Sequence, residues 1–182
     1  MKNYDRFLAA VKISGCILFW LLFCSMFTQC EKNRALAEGN DVEFSIVQTG
    51  RPDVAAEYYS DYVDNLVFKE RNFSFDAPLF LSPSEDGSSI NLLVLSVDLW
   101  NNEPLAAQKV YSAGDGLTDL NISVSYQVNG SGETFVGRLE DAALKISLLS
   151  GRYATGIFSG VLDTGSERYR IDDGYYNIKL TE

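Results

Sequence analysis

Asn121-Ile-Ser-Val-Ser-Tyr-Gln-Val-Asn129 puts Ile122, Val124, Tyr126 and Val128 on one parity and Asn121, Ser123, Ser125, Gln127 and Asn129 on the other. A period of two is the mark of a strand with one face toward a core and one toward water. The same spacing returns downstream. Ala142, Leu144, Ile146 and Leu148 alternate with Lys145 and Ser147, and Tyr176, Ile178 and Leu180 alternate with Asn177, Lys179 and Thr181. Upstream, Ile90-Asn-Leu-Leu-Val-Leu-Ser-Val-Asp-Leu-Trp100 is apolar on both parities in its middle, the pattern of a central strand covered on both faces. Turn-forming clusters separate these runs: Asn129-Gly130-Ser131-Gly132, Ser150-Gly151, Thr164-Gly165-Ser166 and Asp173-Gly174.

One segment reads differently. In Arg51–Leu66, residues Ala55, Tyr59, Tyr62, Val63 and Leu66 share a helical face opposite Glu57, Asp61 and Asp64, with Pro52 near the start. The expected fold is therefore all-β: an antiparallel β-sandwich of about 8–10 strands with one short helix near residues 52–66. A lipocalin-like or other closed β-barrel is the alternative.

The N-terminus is of another kind. Lys2, Arg6 and Lys12 precede a stretch from Ile13 to Cys30 that holds no charged residue. A basic flank followed by an apolar run is the pattern of an export signal. All three cysteines, Cys16, Cys24 and Cys30, lie in or at the end of that stretch. Three readings fit: a lipoprotein signal with lipid attached to a cysteine, an uncleaved single-span anchor with the domain outside the cytoplasm, and a cleaved signal with release. Ile13-Ser14-Gly15-Cys16 is spelled more like a lipobox, but lipidation there leaves Ile17–Phe27 as an apolar tail. Cys30 stands in the better place, after the apolar run and before polar Glu31-Lys32-Asn33, although Gln29 is bulky for the position before it. The expected division is a lipoprotein-type signal peptide over 1–29, a lipidated tether over 30–41 with Cys30 as the attachment site, and a single β domain over 42–182. The expected location is the bacterial cell envelope, at the outer membrane or cell surface.

Residues 1–29 carry three of the 15 basic and one of the 25 acidic residues, so the remainder holds 12 against 24, a net charge of −12. Such a surface repels nucleic-acid phosphates, and no nucleic-acid partner is expected. The domain after Cys30 has no cysteine and cannot form an internal disulfide, which fits a bacterial exported domain resting on its own core.

The 182 residues contain no histidine. Ser-His-Asp and Cys-His nucleophilic sites and His-containing zinc sites are excluded on that ground. The sequence contains neither a Walker-type phosphate loop nor a dinucleotide fingerprint. The expectation is no catalytic residue, no metal and no cofactor. Gly114–Asn121 offers oxygen ligands without the EF-hand spacing and reads as a polar turn, and so does Asp172-Asp173-Gly174 as a hairpin. Among the aromatics, strand geometry buries one ring and exposes the other in each of Tyr58-Tyr59 and Tyr175-Tyr176. Trp100, at a strand end before Asn101-Asn102-Glu103-Pro104, is either core packing or a contact for a sugar or partner protein.

Gly151-Arg-Tyr-Ala-Thr-Gly156-Ile-Phe158-Ser-Gly-Val-Leu162, followed by Tyr169-Arg-Ile-Asp-Asp-Gly174-Tyr-Tyr-Asn-Ile178, resembles the "G-T-F-S-F…I-T-N-G-x-F-x-V" ending of small cell-envelope lipoproteins of Bacteroidetes. Gly156, Phe158 and Gly174 carry the likeness; Ile157 stands where Thr is usual. The resemblance implies an exported β-rich lipoprotein and no activity. The expected function is a lipid-anchored, non-catalytic binding or accessory module, in contact with the membrane through its lipid and with an envelope protein or glycan. The alternatives are a carboxylate-dependent glycoside hydrolase and a ligand-carrying β-barrel.

Overall fold

The computed structural model describes residues 39–82, 90–114, 116–128 and 132–180. They belong to the second of two units of the chain, Ala37–Glu182. The candidate signal peptide with Cys16, Cys24 and Cys30, residues 30–38 of the tether, Asp115 and turn residues 129–131 lie outside the described residues.

Among the described residues every regular element is a strand. In chain order they are β1 (Asp41–Gln48), β2 (Arg51–Ser60), β3 (Asp64–Lys69), β4 (Asn72–Pro78), β5 (Phe80–Leu81), β6 (Ile90–Asn101), β7 (Lys109–Ser112), β8 (Thr118–Val128), β9 (Thr134–Leu149), β10 (Tyr153–Asp163) and β11 (Arg168–Lys179). All pairings are antiparallel, and the strands form one sheet in the order β3-β4-β6-β8-β9-β10-β11-β1-β2-β5, with β7 added on β9. The all-β antiparallel expectation holds. The strands make a single curled sheet, and its shape is compatible with the barrel-like alternative.

The curl is visible in contacts between strands far apart in the sheet order. Phe73 and Phe75 of β4 pack on Tyr176 of β11 at ring-centroid distances of 5.7 and 6.1 Å. The Tyr58 hydroxyl of β2 donates to Ile90 O and accepts from Leu92 N–H of β6, both at 3.3 Å. The two ends of the path meet through one bend. Only Leu79 separates β4 from β5; its N–H donates to Leu93 O, while the N–H of Ser82 donates to Glu57 O, each at 2.8 Å. The chain therefore leaves β6 and joins β2 within a few residues, satisfying its backbone groups on both sides of the bend. Inside lies one apolar core, filled by large side chains such as Tyr58, Tyr111, Tyr169, Tyr176, Phe73, Phe75 and Phe158. Among the described residues no helix is long and apolar enough to cross a membrane.

Three expectations are corrected. The helix near residues 52–66 is not formed: β2 buries Val54, Ala56, Tyr58 and Ser60 on a period of two, and Tyr59 and Tyr62 of the supposed apolar helical face are 43% and 54% exposed. Pairing with β1 from Val42↔Ser60 to Val47↔Ala55 gives this backbone its partners, and tertiary pairing overrides a marginal local periodicity. The double-parity run Ile90–Trp100 is not covered on both faces. The ladder with β8 shifts between Leu92 and Val94, so inward positions change from Ile90 and Leu92 to Leu95, Val97 and Leu99. That is a β-bulge, with one extra residue on the outer side. Asp172-Asp173-Gly174 is not a hairpin turn but a bulge within β11. Both aspartates point outward, and the register with β10 shifts between Phe158 and Gly160.

Candidate functional site

Trp100 is the next-to-last residue of β6, between buried Leu99 and Asn101, so alternation sends its indole to the outer face, 47% exposed. The strand end that carries it is tightly fixed. Buried Asn101 donates through Nδ2 to Glu103 O (2.7 Å) and accepts at Oδ1 from Thr118 Oγ1 (3.0 Å). Its N–H donates to Arg71 O at 3.0 Å, and the N–H of Leu105 donates to Glu70 O at 2.8 Å. These bonds tie the β3–β4 turn to the end of β6 and set the surroundings of the indole.

Register then determines its neighbours. Lys69 pairs with Asn72, Asn72 with Trp100 and Trp100 with Asp119, forming one outward row across β3, β4, β6 and β8. Lys69, Glu70, Arg71, Asn72 and Trp100 line an open hollow of about 310 Å³. Two buried side-chain polar atoms among the described residues have no hydrogen-bond partner, the Oδ1 atoms of Asn72 and Asn121. Asn72 stands directly opposite Trp100; Asn121 pairs with Asp98 and is diagonal to Trp100 on the same face. A buried acceptor without a donor costs about 1–3 kcal/mol, so two beside one exposed indole set this face apart.

A second hollow of about 400 Å³ lies between the β1–β2 and β10–β11 turns, lined by Gln48, Thr49, Asp163, Gly165, Ser166, Glu167 and Arg168. Its polar groups are already engaged with one another. Gln48 donates to Glu167 at 3.1 Å, Tyr169 Oη donates to Glu167, and Arg168 pairs with Glu140 and Asp163. The Trp100 hollow is smaller but chemically more open, since neither Lys69 nor Arg71 makes an ion pair among the described residues.

The other aromatic expectations resolve simply. Tyr58 and Tyr176 are buried, Tyr59 is exposed and Tyr175 half-buried. Burial raises the pKa of Tyr58 against the lowering effect of its bond from Leu92, and burial together with nearby Tyr111 raises that of Tyr176 strongly. The acidic outer face carries Asp64, Asp76, Asp98 and Asp119. Asp76 accepts from Asn65 Nδ2 and Asp64 from the Tyr62 hydroxyl, each at 2.7 Å. Among the described residues no group of three or more Asp, Glu, Cys or His is placed to hold a metal ion. At Gly114–Asn121, Gly114 and Gly116 have φ of 95° and 74°, which is turn geometry, while Thr118–Asn121 begin β8.

Sequence reading reached Trp100 and left open whether it was core or contact. It missed Lys69, Arg71, Asn72 and Asn121, which converge only through cross-strand register. The local signal was the polar turn Lys69-Glu70-Arg71-Asn72 facing the Trp100 strand end. Compared with protein-family models, curated proteins and solved structures, the chain matches none.

Proposed function

We propose that the protein is an exported, lipid-anchored component of a bacterial cell envelope whose β domain is a non-catalytic binding or accessory module. The observation that carries this reading is the placement of the cysteines. All three fall within the apolar N-terminal stretch, the last of them before a polar tether, and none falls in the domain. A thiol at Cys30 is the group that a diacylglycerol thioether requires, and two or three acyl chains hold a domain stably where one does not. The domain that follows builds its core without a cross-link, and an exposed indole at Trp100 supports a contact role.

The test is incorporation of labelled palmitate into the full chain in its bacterial host, with and without globomycin, for wild type, Cys30→Ala and Cys16→Ala. Label that accumulates in an unprocessed form under globomycin and is lost with Cys30→Ala is the expected result. Label lost only with Cys16→Ala moves the attachment site. No label in any form ends the lipid reading in favour of a spanning anchor.

A further inference from the structure

The geometry points to the Trp100 hollow as a binding site for an acidic saccharide, a sugar ring bearing a carboxylate or sulfate. This rests on the binding-module reading and not on the lipid. Two independent features converge. A half-exposed indole on a fixed strand end offers a flat apolar surface, and the C–H face of a pyranose stacks on such a ring. Lys69 and Arg71 flank it without ion-pair partners among the described residues, against one carboxylate, Glu70, in the same hollow. The hollow is thus locally basic on a domain that is acidic as a whole, which selects for an anionic group at that point.

Shape and size agree with this occupant. At about 310 Å³ the hollow is at the lower end of ligand sites, which run from about 300 to 1,000 Å³, and it is open rather than enclosed. A shallow site that stacks one ring and grips one charge suits a saccharide chain lying on the surface better than an apolar ligand that must be engulfed. Asp119, beyond Trp100 in the same row, and Asp98, two residues back on the same outer face of β6, would repel a second negative charge there. The preferred ligand therefore carries its acid group on the Lys69–Arg71 side, next to a neutral residue.

The experiment is binding of the detergent-solubilised full-length protein to an immobilised panel of uronate-, sialate- and sulfate-bearing oligosaccharides beside neutral oligosaccharides of the same length. Binding of at least one acidic member is expected, weakened at least ~10-fold in Trp100→Ala, whose surface position leaves the fold intact by circular dichroism. The double variant Lys69→Ala/Arg71→Ala is expected to bring acidic members down to the level of the neutral ones. No binding across the panel overturns the proposal, as does binding that Trp100→Ala leaves unchanged. Citrate competing as well as the saccharide reduces the site to a simple anion patch and also overturns it. Palmitate labelling is read separately, so loss of the lipid reading and loss of the saccharide site give different results.

Discussion

Gly156 and Gly174 are not turn residues. They face each other's strands in the β10–β11 ladder, where Gly156 pairs with Tyr176 and Gly174 with Phe158. A Cβ on Gly174 would sit 2.5 Å from the Phe158 ring, and one on Gly156 would collide with the backbone oxygen of Lys145 and the Tyr176 hydroxyl. Each glycine thus lies under the aromatic ring of its partner, in opposite senses, at the centre of the core. Gly174→Ala is expected to cost about 1–3 kcal/mol in urea unfolding, the usual range for overpacking a filled interior, and Gly156→Ala more than Gly174→Ala, because its Cβ meets backbone that cannot swing away. In Gly174→Ala/Phe158→Leu, where the clash is relieved, the combined loss should be smaller than the sum of the single losses. Strict additivity would mean that the ring and the glycine do not meet. The Gly156, Phe158 and Gly174 positions therefore record packing: they are held by contact between β10 and β11.

Several strands carry a bulge that sends two successive residues outward, among them Leu93 and Val94 in β6, Glu140 and Asp141 in β9, and Asp172 and Asp173 in β11. Asp141 takes a left-handed φ of 50°, tolerable for Asp and costly for a β-branched residue. Bulges bend strands and increase twist, which a sheet this curled requires. The bulge in β6 does a second job, since Leu93 O accepts the N–H of Leu79 at the bend that joins the ends of the sheet. Deleting Leu93 keeps Leu92 and Leu95 inward but removes that acceptor. The deletion is expected to lower stability by about 1–3 kcal/mol, read as a lowered urea midpoint. An unchanged midpoint would show that the bend does not depend on the bulge. The misread helix belongs to this scale as well. Over Arg51–Leu66 the inward set Val54, Ala56, Tyr58 and Ser60 contains a small residue and a hydroxyl, so its period of two is faint until β1 lies alongside.

The described β domain shares one core, and that core contains phenols. Tyr58 and Tyr176 have raised pKa values because burial disfavours the phenolate. The neutral form is the one that folds, so this contribution is complete below the unfolded value of about 10 and is lost as pH rises above it. Alkaline titration followed at 295 nm should show these tyrosines ionising together with loss of near-ultraviolet circular dichroism. Tyr176→Phe should shift that transition to higher pH. Smooth titration of every tyrosine near pH 10 with the fold intact would contradict a sealed core.

From the sequence alone came the class of the fold, the strands around Asn121–Asn129, Ala142–Leu148 and Tyr176–Leu180, and the confinement of all three cysteines to the apolar N-terminal stretch. These are legible because alternation, turn chemistry and charge runs are local. Trp100 was legible as a residue to watch but not as an exposed one, because Leu99 and Asn101 are buried only once β8 and the β3–β4 turn close over them. Tertiary structure alone decided the bulges, the single curled sheet and the meeting of Lys69, Arg71, Asn72 and Asn121 around Trp100. Register between strands sets those neighbours, and register depends on pairings that no single segment contains.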